Sequence, residues 1–164
     1  MKILVSACLL GNPVRYDGKA KTLAHAELEK LAADGRAVCF CPEVAGGLPV
    51  PRKAAEIIAG NGDEVISGKA SVKTRDGDDV TEFFLSGARQ ALELCRQHDI
   101  GVAILTESSP SCGSGEIYDG SFTRNPVTGS GVTAALLRQQ GIVVYNQFQV
   151  DEALALLQTA DDFA

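Results

Sequence analysis

Four short apolar runs punctuate the chain, and they constrain its fold more than any other feature. They are KILVSA (residues 2–7), AVCF (37–40), GVAIL (101–105) and IVVY (142–145). Within each run apolar residues follow one another instead of alternating with polar ones, as expected of strands covered on both faces. Between the runs the spacing is helical. Residues 23–33 set Leu23, Leu28 and Leu31 among Glu and Lys, and residues 81–98 set Phe84, Leu85, Ala88, Ala91, Leu92 and Cys95 on one stripe. Residues 132–139 and 151–158 supply two more helices, the second with Asp151 as its expected N-cap. Strands alternating with helices predict βαβ units and right-handed crossovers. The expectation is a single α/β domain over residues 1–164, Rossmann-like, with a largely parallel sheet and flanking helices. The polar stretch NGDEVISGKASVKTRDGDD (61–79) breaks the rhythm and reads as a small hairpin or loop insertion before the long helix.

The chain has five cysteines among 164 residues: Cys8, Cys39, Cys41, Cys95 and Cys112. An odd number, in a chain whose MKILVSACLLGN start reads as a strand and not as a signal peptide, argues against a disulfide framework. The expected compartment is the cytoplasm. A net charge of −6 argues against extensive nucleic-acid binding or an anionic membrane surface, and no apolar run approaches the roughly 18 residues of a membrane span.

Three of the cysteines fall just beyond predicted strands: Cys8 in ACLLGNPVRYDG, Cys41 in CFCPEVAGGLPVPR and Cys112 in ESSPSCGSG. Open α/β sheets form their ligand crevice at those carboxyl ends. Cys95 lies on the apolar stripe of the long helix and is expected in the core. Cys39 shares the pleat side of Cys41, but its place within an apolar run predicts core packing.

Converging thiolates suit zinc or an iron–sulfur cluster. Zinc sites commonly use a short C-x2-C knuckle, which this chain lacks, and His25 and His98 lie in helical segments. The spacings between the three cysteines are also unlike a ferredoxin run. Two other readings compete. Cys8 to Arg15 loosely resembles the phosphate loop of a low-molecular-weight tyrosine phosphatase, with one residue too many between Cys and Arg. GSGVTA (129–134) matches a G-x-G-x-x-A dinucleotide pattern but follows no predicted strand.

Taken together, CLLG…VRYDG, CPE…GGLPVPR and SPSCG…IYDG…G-x-G-x-x-A resemble the DUF523 family, to which the thiouracil desulfurases belong. The motifs span nearly the whole chain, in order. The resemblance implies a 4Fe–4S cluster on three cysteines, matching Cys8, Cys41 and Cys112, with one iron open to substrate sulfur. It implies a non-redox desulfidase, hydrolase or lyase in class, that converts a thiolated pyrimidine such as 2-thiouracil to uracil and hydrogen sulfide. The CPE acid is Glu43, expected to activate water, and the SPSCG serine is Ser109, expected to donate or relay a proton. Ser108 and Ser111 remain alternatives for that hydroxyl. Arg15 and Ser108 are further candidates for substrate binding, and Gly113 for close backbone approach. Gly46, Gly47 and Gly115 share that reading with plain turns, and Arg15, Arg52 and Arg124 share theirs with surface salt bridges. The opposing function class is a cluster or metal sensor, or a partner of a tRNA-thiolation system, without turnover.

Overall fold

A computed structural model describes all 164 residues. Its centre is a four-stranded parallel sheet built from β1 (Ile3–Ser6), β2 (Ala37–Phe40), β5 (Val102–Ile104) and β8 (Val143–Tyr145), in the order β2-β1-β5-β8. The two central strands, β1 and β5, register Leu4 against Ala103 and Val5 against Ile104. Successive side chains go to opposite faces. Ile3, Val5, Val102 and Ile104 pack under Leu28 of α1 (Ala26–Ala33) and under Val150, Ala153, Leu154 and Leu157 of α6 (Val150–Asp162). Leu4, Ala103 and Val144 pack under Ala91, Leu92 and Cys95 of α4 (Thr81–Gln97) and under Ala134 and Leu137 of α5 (Val132–Gln139). The expected α/β layering is therefore present, and Cys95 is in the core. No helix is long and apolar enough to cross a membrane.

Burial on both faces holds for the central strands only. β2 and β8 are the sheet's edges; β2 has no fully buried residue, and Val143 of β8 is 41% exposed. Cys39, expected in the core, is exposed for this reason. Its Sγ accepts a hydrogen bond from the Asn12 side chain at 3.3 Å. Helix α6 also differs from expectation. Gln149 occupies its N-cap position, and Asp151 lies in the first turn with its carboxylate on His25 Nε2 at 3.0 Å.

Residues 61–79 contain half of a hairpin, not a whole one. Asn61 caps the short helix α3 (Gly62–Ile66): its side chain accepts from the Asp63 amide, and Glu64 reaches back to the Asn61 amide. This Asn-x-x-Glu capping box makes Val65 helical where a strand fragment was expected. β4 (Ser71–Thr74) then pairs antiparallel with β3 (Ala55–Ile58), which lies upstream of the segment. The hairpin's Ile57 and Val72 pack against Phe84 and Ala88, in the first half of α4, together with Val65, Ile117 and Val132. Helix α4 thus seals two cores, one at each end. A second small pair, β6 (Glu116–Tyr118) with β7 (Pro126–Thr128), stands beside the hairpin.

Candidate functional site

The carboxyl ends of β2, β1 and β5 lie side by side, and each is followed at once by a turn that carries chemistry. Ser6 ends β1, and Cys8 sits in a 3-10 turn over Ala7–Leu10. Cys41 follows β2 as the N-cap residue of α2 (Pro42–Ala45), with Pro42 at the first helical position where its fixed φ suits a helix start. Thr106 lies two residues beyond β5, and the 107–115 loop that follows carries Cys112.

Side-chain hydrogen bonds join these turns. Thr106 Oγ1 shares one with Cys8 Sγ at 2.8 Å, and the Thr106 amide donates to Ser6 Oγ at 3.0 Å. Burial pushes the Cys112 thiol well above its ordinary range, with further upward pushes from neighbouring Cys41, Glu43 and Cys8. Burial raises the Cys41 thiol as well, against the Val44 and Glu43 amides and Arg52, which favour the thiolate.

Glu43 projects from α2 into the same space. Its Oε1 accepts from Arg52 Nε at 3.2 Å and its Oε2 from Ser109 Oγ at 3.4 Å. Burial raises this carboxyl, while Arg52 and Ser109 oppose the shift without cancelling it. Arg52, 6% exposed, also donates to Pro49 O and Val14 O, tying the loop after Cys8 to the loop after Cys41. Helix α2 is held by close backbone packing on α4: a Cβ on Gly87 would meet Pro42 O at 2.0 Å. Only glycine at that position lets the turn bearing Cys41 and Glu43 approach so closely.

A cavity of about 480 Å³ opens over these elements. Glu43, Thr106, Ser108 and Ser109 line it toward the strand ends, and Arg15, Lys21, Arg75 and Arg124 toward its mouth. Tyr16 and Tyr118 contribute rings. The three cysteines are not in its lining; Thr106 and Ser109 intervene, the first bonded to Cys8 Sγ and the second accepting the Cys112 amide at 3.1 Å. A second, shallower depression of about 460 Å³ on the outer face of α4 and α5 contains no thiol and no residue of the strand ends.

The candidate serines separate. Ser108 and Ser109 line the cavity, while Ser111 is fully buried with its Oγ 2.9 Å from Thr133 Oγ1. Ser109 has three attachments, since its Oγ donates to Glu43 and accepts from the Ser111 and Cys112 amides. Gly113 is not brought to the cavity; its amide is committed to Ser109 O, and a Cβ there would meet Glu116 O at 2.5 Å. Arg15 does face the cavity, with Asp17 3.9 Å away.

Three residues escape sequence reasoning altogether: Ser6, Thr106 and Glu107. Glu107 Oε1 accepts the successive amides of Ser114, Gly115 and Glu116 at 2.8–3.1 Å, and Oε2 accepts from Asn146. Burial acts to raise this carboxyl, but the hydrogen bonds outweigh it and hold it below the ordinary glutamate range. Single hydroxyls and acids at strand ends look like turn residues in a sequence; the pairing of β1 with β5 makes Ser6 and Thr106 neighbours, while Glu107 finds its partners in its own loop and at Asn146.

Both competing motifs lose their basis. The amides of Gly11, Asn12 and Val14 are bonded to Cys8 O, Ala7 O and Asn12 O, so no phosphate cradle opens after Cys8. The G-x-G-x-x-A segment does lead into α5, but the helix start is filled. Val132 and Thr133 donate to Pro110 O and Ser111 O, and Gly131 to Gly113 O, all within 2.9 Å.

The donor set discriminates among metals. No three His, Cys, Asp or Glu side chains converge as ligands of a single ion do. His25 bonds Asp151, and His98 lies by Lys2. Three thiols on separate strand ends fit a polynuclear group whose corners each take one thiolate.

The family model described as 2-thiouracil desulfurase matches residues 3–149. The uncharacterized protein YbbK of Bacillus subtilis (strain 168) is 45% identical over 152 residues, covering 93% of this chain and 99% of that protein. Among solved structures, the 4Fe–4S-dependent thiouracil desulfidase TudS (DUF523) superimposes with a TM-score of 0.88 at 49% identity, covering 96% of this chain and 98% of TudS. The motifs at Cys8, Cys41 and Cys112 thus led to the right relatives, and this chain belongs to the 2-thiouracil desulfurase family.

Proposed function

We propose that this protein is a 4Fe–4S-dependent desulfidase that removes sulfur from a thiolated pyrimidine by hydrolysis, with Cys8, Cys41 and Cys112 holding the cluster. The observation that carries this reading is the meeting of three cysteine-bearing strand ends beside one cavity into which Glu43 projects. When bound, the cluster supplies a thiophilic Lewis acid at the iron that has no protein thiolate.

The rest of the chemistry belongs to the chain. Glu43 is fixed by Arg52 on one oxygen and Ser109 on the other. It takes a proton from the water that adds to the carbon of the C–S bond. The carbonyl oxygen of the product comes from that water, and the sulfur leaves as hydrogen sulfide, so no net oxidation or reduction occurs. Ser109, bonded to Glu43, gives that proton a path toward the pyrimidine. Tyr16 and Tyr118 offer stacking surfaces for the ring. Lys21, Arg75 and Arg124 stand at the mouth outside every salt bridge of the structure. They favour a thiopyrimidine that also bears a carboxylate or phosphate.

A cluster-holding sensor has no use for a buried carboxylate aimed into a substrate-sized cavity. The decisive experiment is anaerobic reconstitution with iron and sulfide, followed by 2-thiouracil and assays for sulfide and uracil. Equimolar sulfide and uracil are expected. A full iron count without turnover, on free or anionic thiopyrimidines, overturns the enzyme reading in favour of the sensor.

A further inference from the structure

Two hydroxyls sit where the hydrophobic core has no need of them. Ser6 is the last residue of central strand β1 and Thr106 lies just beyond central strand β5; they are 3% and 8% exposed. Buried hydroxyls need partners. Here the partners are one another and a thiol: the Thr106 amide bonds Ser6 Oγ at 3.0 Å, and Thr106 Oγ1 lies 2.8 Å from Cys8 Sγ.

Counting hydrogens fixes the directions. Each hydroxyl has one hydrogen to give. The Thr106 amide donates to Ser6 Oγ and so fixes Thr106 against the end of β1. A thiolate at Cys8 has no hydrogen, so Thr106 becomes the donor there. Among the three sulfurs, Cys8 is the one with a hydroxyl hydrogen-bonded to it.

We propose that Thr106 is a positioning residue whose O–H group donates to the thiolate sulfur of Cys8 and thereby raises the reduction potential of the bound cluster. The inference rests on the ligand assignment proposed above. Hydrogen bonds to ligand sulfur draw electron density away from iron, which makes reduction easier and the irons stronger Lewis acids. Two strands that must pair to build the sheet thus also hold a donor against the Cys8 thiolate.

The test uses full-length protein, reconstituted anaerobically, with iron and sulfide counted and the cluster titrated electrochemically while its visible absorbance is followed. Thr106→Val keeps the shape and removes the donor; Thr106→Ser restores the hydroxyl. With a full iron count, Thr106→Val is expected to shift the midpoint potential negative and Thr106→Ser to stay with wild type. Thr106→Ala removes the same donor without the branched side chain and provides the readout should the valine variant fold poorly. Wild-type potentials in Thr106→Val and Thr106→Ala, at a full iron count, overturn the proposal. A wild-type protein that takes up no iron fails at the count and takes the ligand assignment with it.

Discussion

The floor and the mouth of the cavity follow opposite rules. At the floor, Ser6, Cys8, Thr106 and Cys112 are all buried, and hydrogen bonds join Thr106 to both Ser6 and Cys8. At the mouth, Lys21, Arg75 and Arg124 are exposed and free of carboxylate partners. A floor of this kind has low tolerance, because burial makes any unmatched group expensive. A mouth of this kind is tolerant, because water and salt screen whatever is lost there. Substitutions should therefore grow milder from one to the other.

The severest test lies at the floor itself. Cys112→Ser is expected to lose the cluster's visible absorbance and all sulfide release together, and Cys41→Ser likewise. Between floor and mouth, Glu43→Gln keeps an acceptor for Arg52 and removes the basic oxygen. It should retain the cluster spectrum and bind thiouracil while kcat falls by a factor of ~10² or more. Near-normal turnover would remove Glu43 from the reaction. Gly87→Ala drives a methyl into Pro42 O, 2.0 Å from the new Cβ, and should cost about 2 kcal/mol in chemical denaturation. An unchanged midpoint would mean that α2 yields freely, and that the floor is less rigid than its packing implies.

Glu107 tests the comparison by pH. Its folded-state pKa is depressed, so its contribution to stability is complete above the ordinary glutamate value and is lost as pH falls through the folded value. Glu107→Gln should lower stability by about 1.5 kcal/mol at pH 7, the low end for charge-assisted hydrogen bonds at a half-buried site. The loss should shrink toward zero in acid. A deficit that persists unchanged at pH 3 would point to packing instead of charge. The mildest change is Arg124→Ala at the mouth, expected to raise KM for an anionic thiopyrimidine about 5-fold with kcat intact, the ~1 kcal/mol of an exposed ion pair. Added salt should reproduce that rise in the wild type.

The same division explains what could be read from the sequence. β1, β5, α4 and α5 announce themselves because burial imposes long or continuous apolar patterns, and β2 and β8 carry short apolar runs although they lie at the edges. The walls of the cavity carry no such signal. β3 is interrupted by Glu56, buried because its carboxylate takes the Gly120 and Phe122 amides, and β6 and β7 have three residues each. The capping box of α3 was present as Asn61 and Glu64, but inside a polar run it resembles a loop. Cys39 was misplaced because an apolar run reports burial without saying which strand will lie at an edge. At the site, Cys8, Cys41, Cys112, Glu43 and Ser109 stand out within recurring motifs. Ser6 and Thr106 acquire each other only from strand order, and Glu107 its amides only from the folding of its own loop.

The filled start of α5 ties the Cys112 loop to events far from the cavity. The carbonyls of residues 110–115 receive the amides of Gly129, Gly131, Val132, Thr133 and Ala134. Loop and helix start must therefore open together or not at all, as one cooperative unit in native-state hydrogen exchange. Whatever steadies Cys112 will slow deuterium uptake in the first turn of α5, and the helix becomes a built-in reporter on whether the site beneath it is loaded.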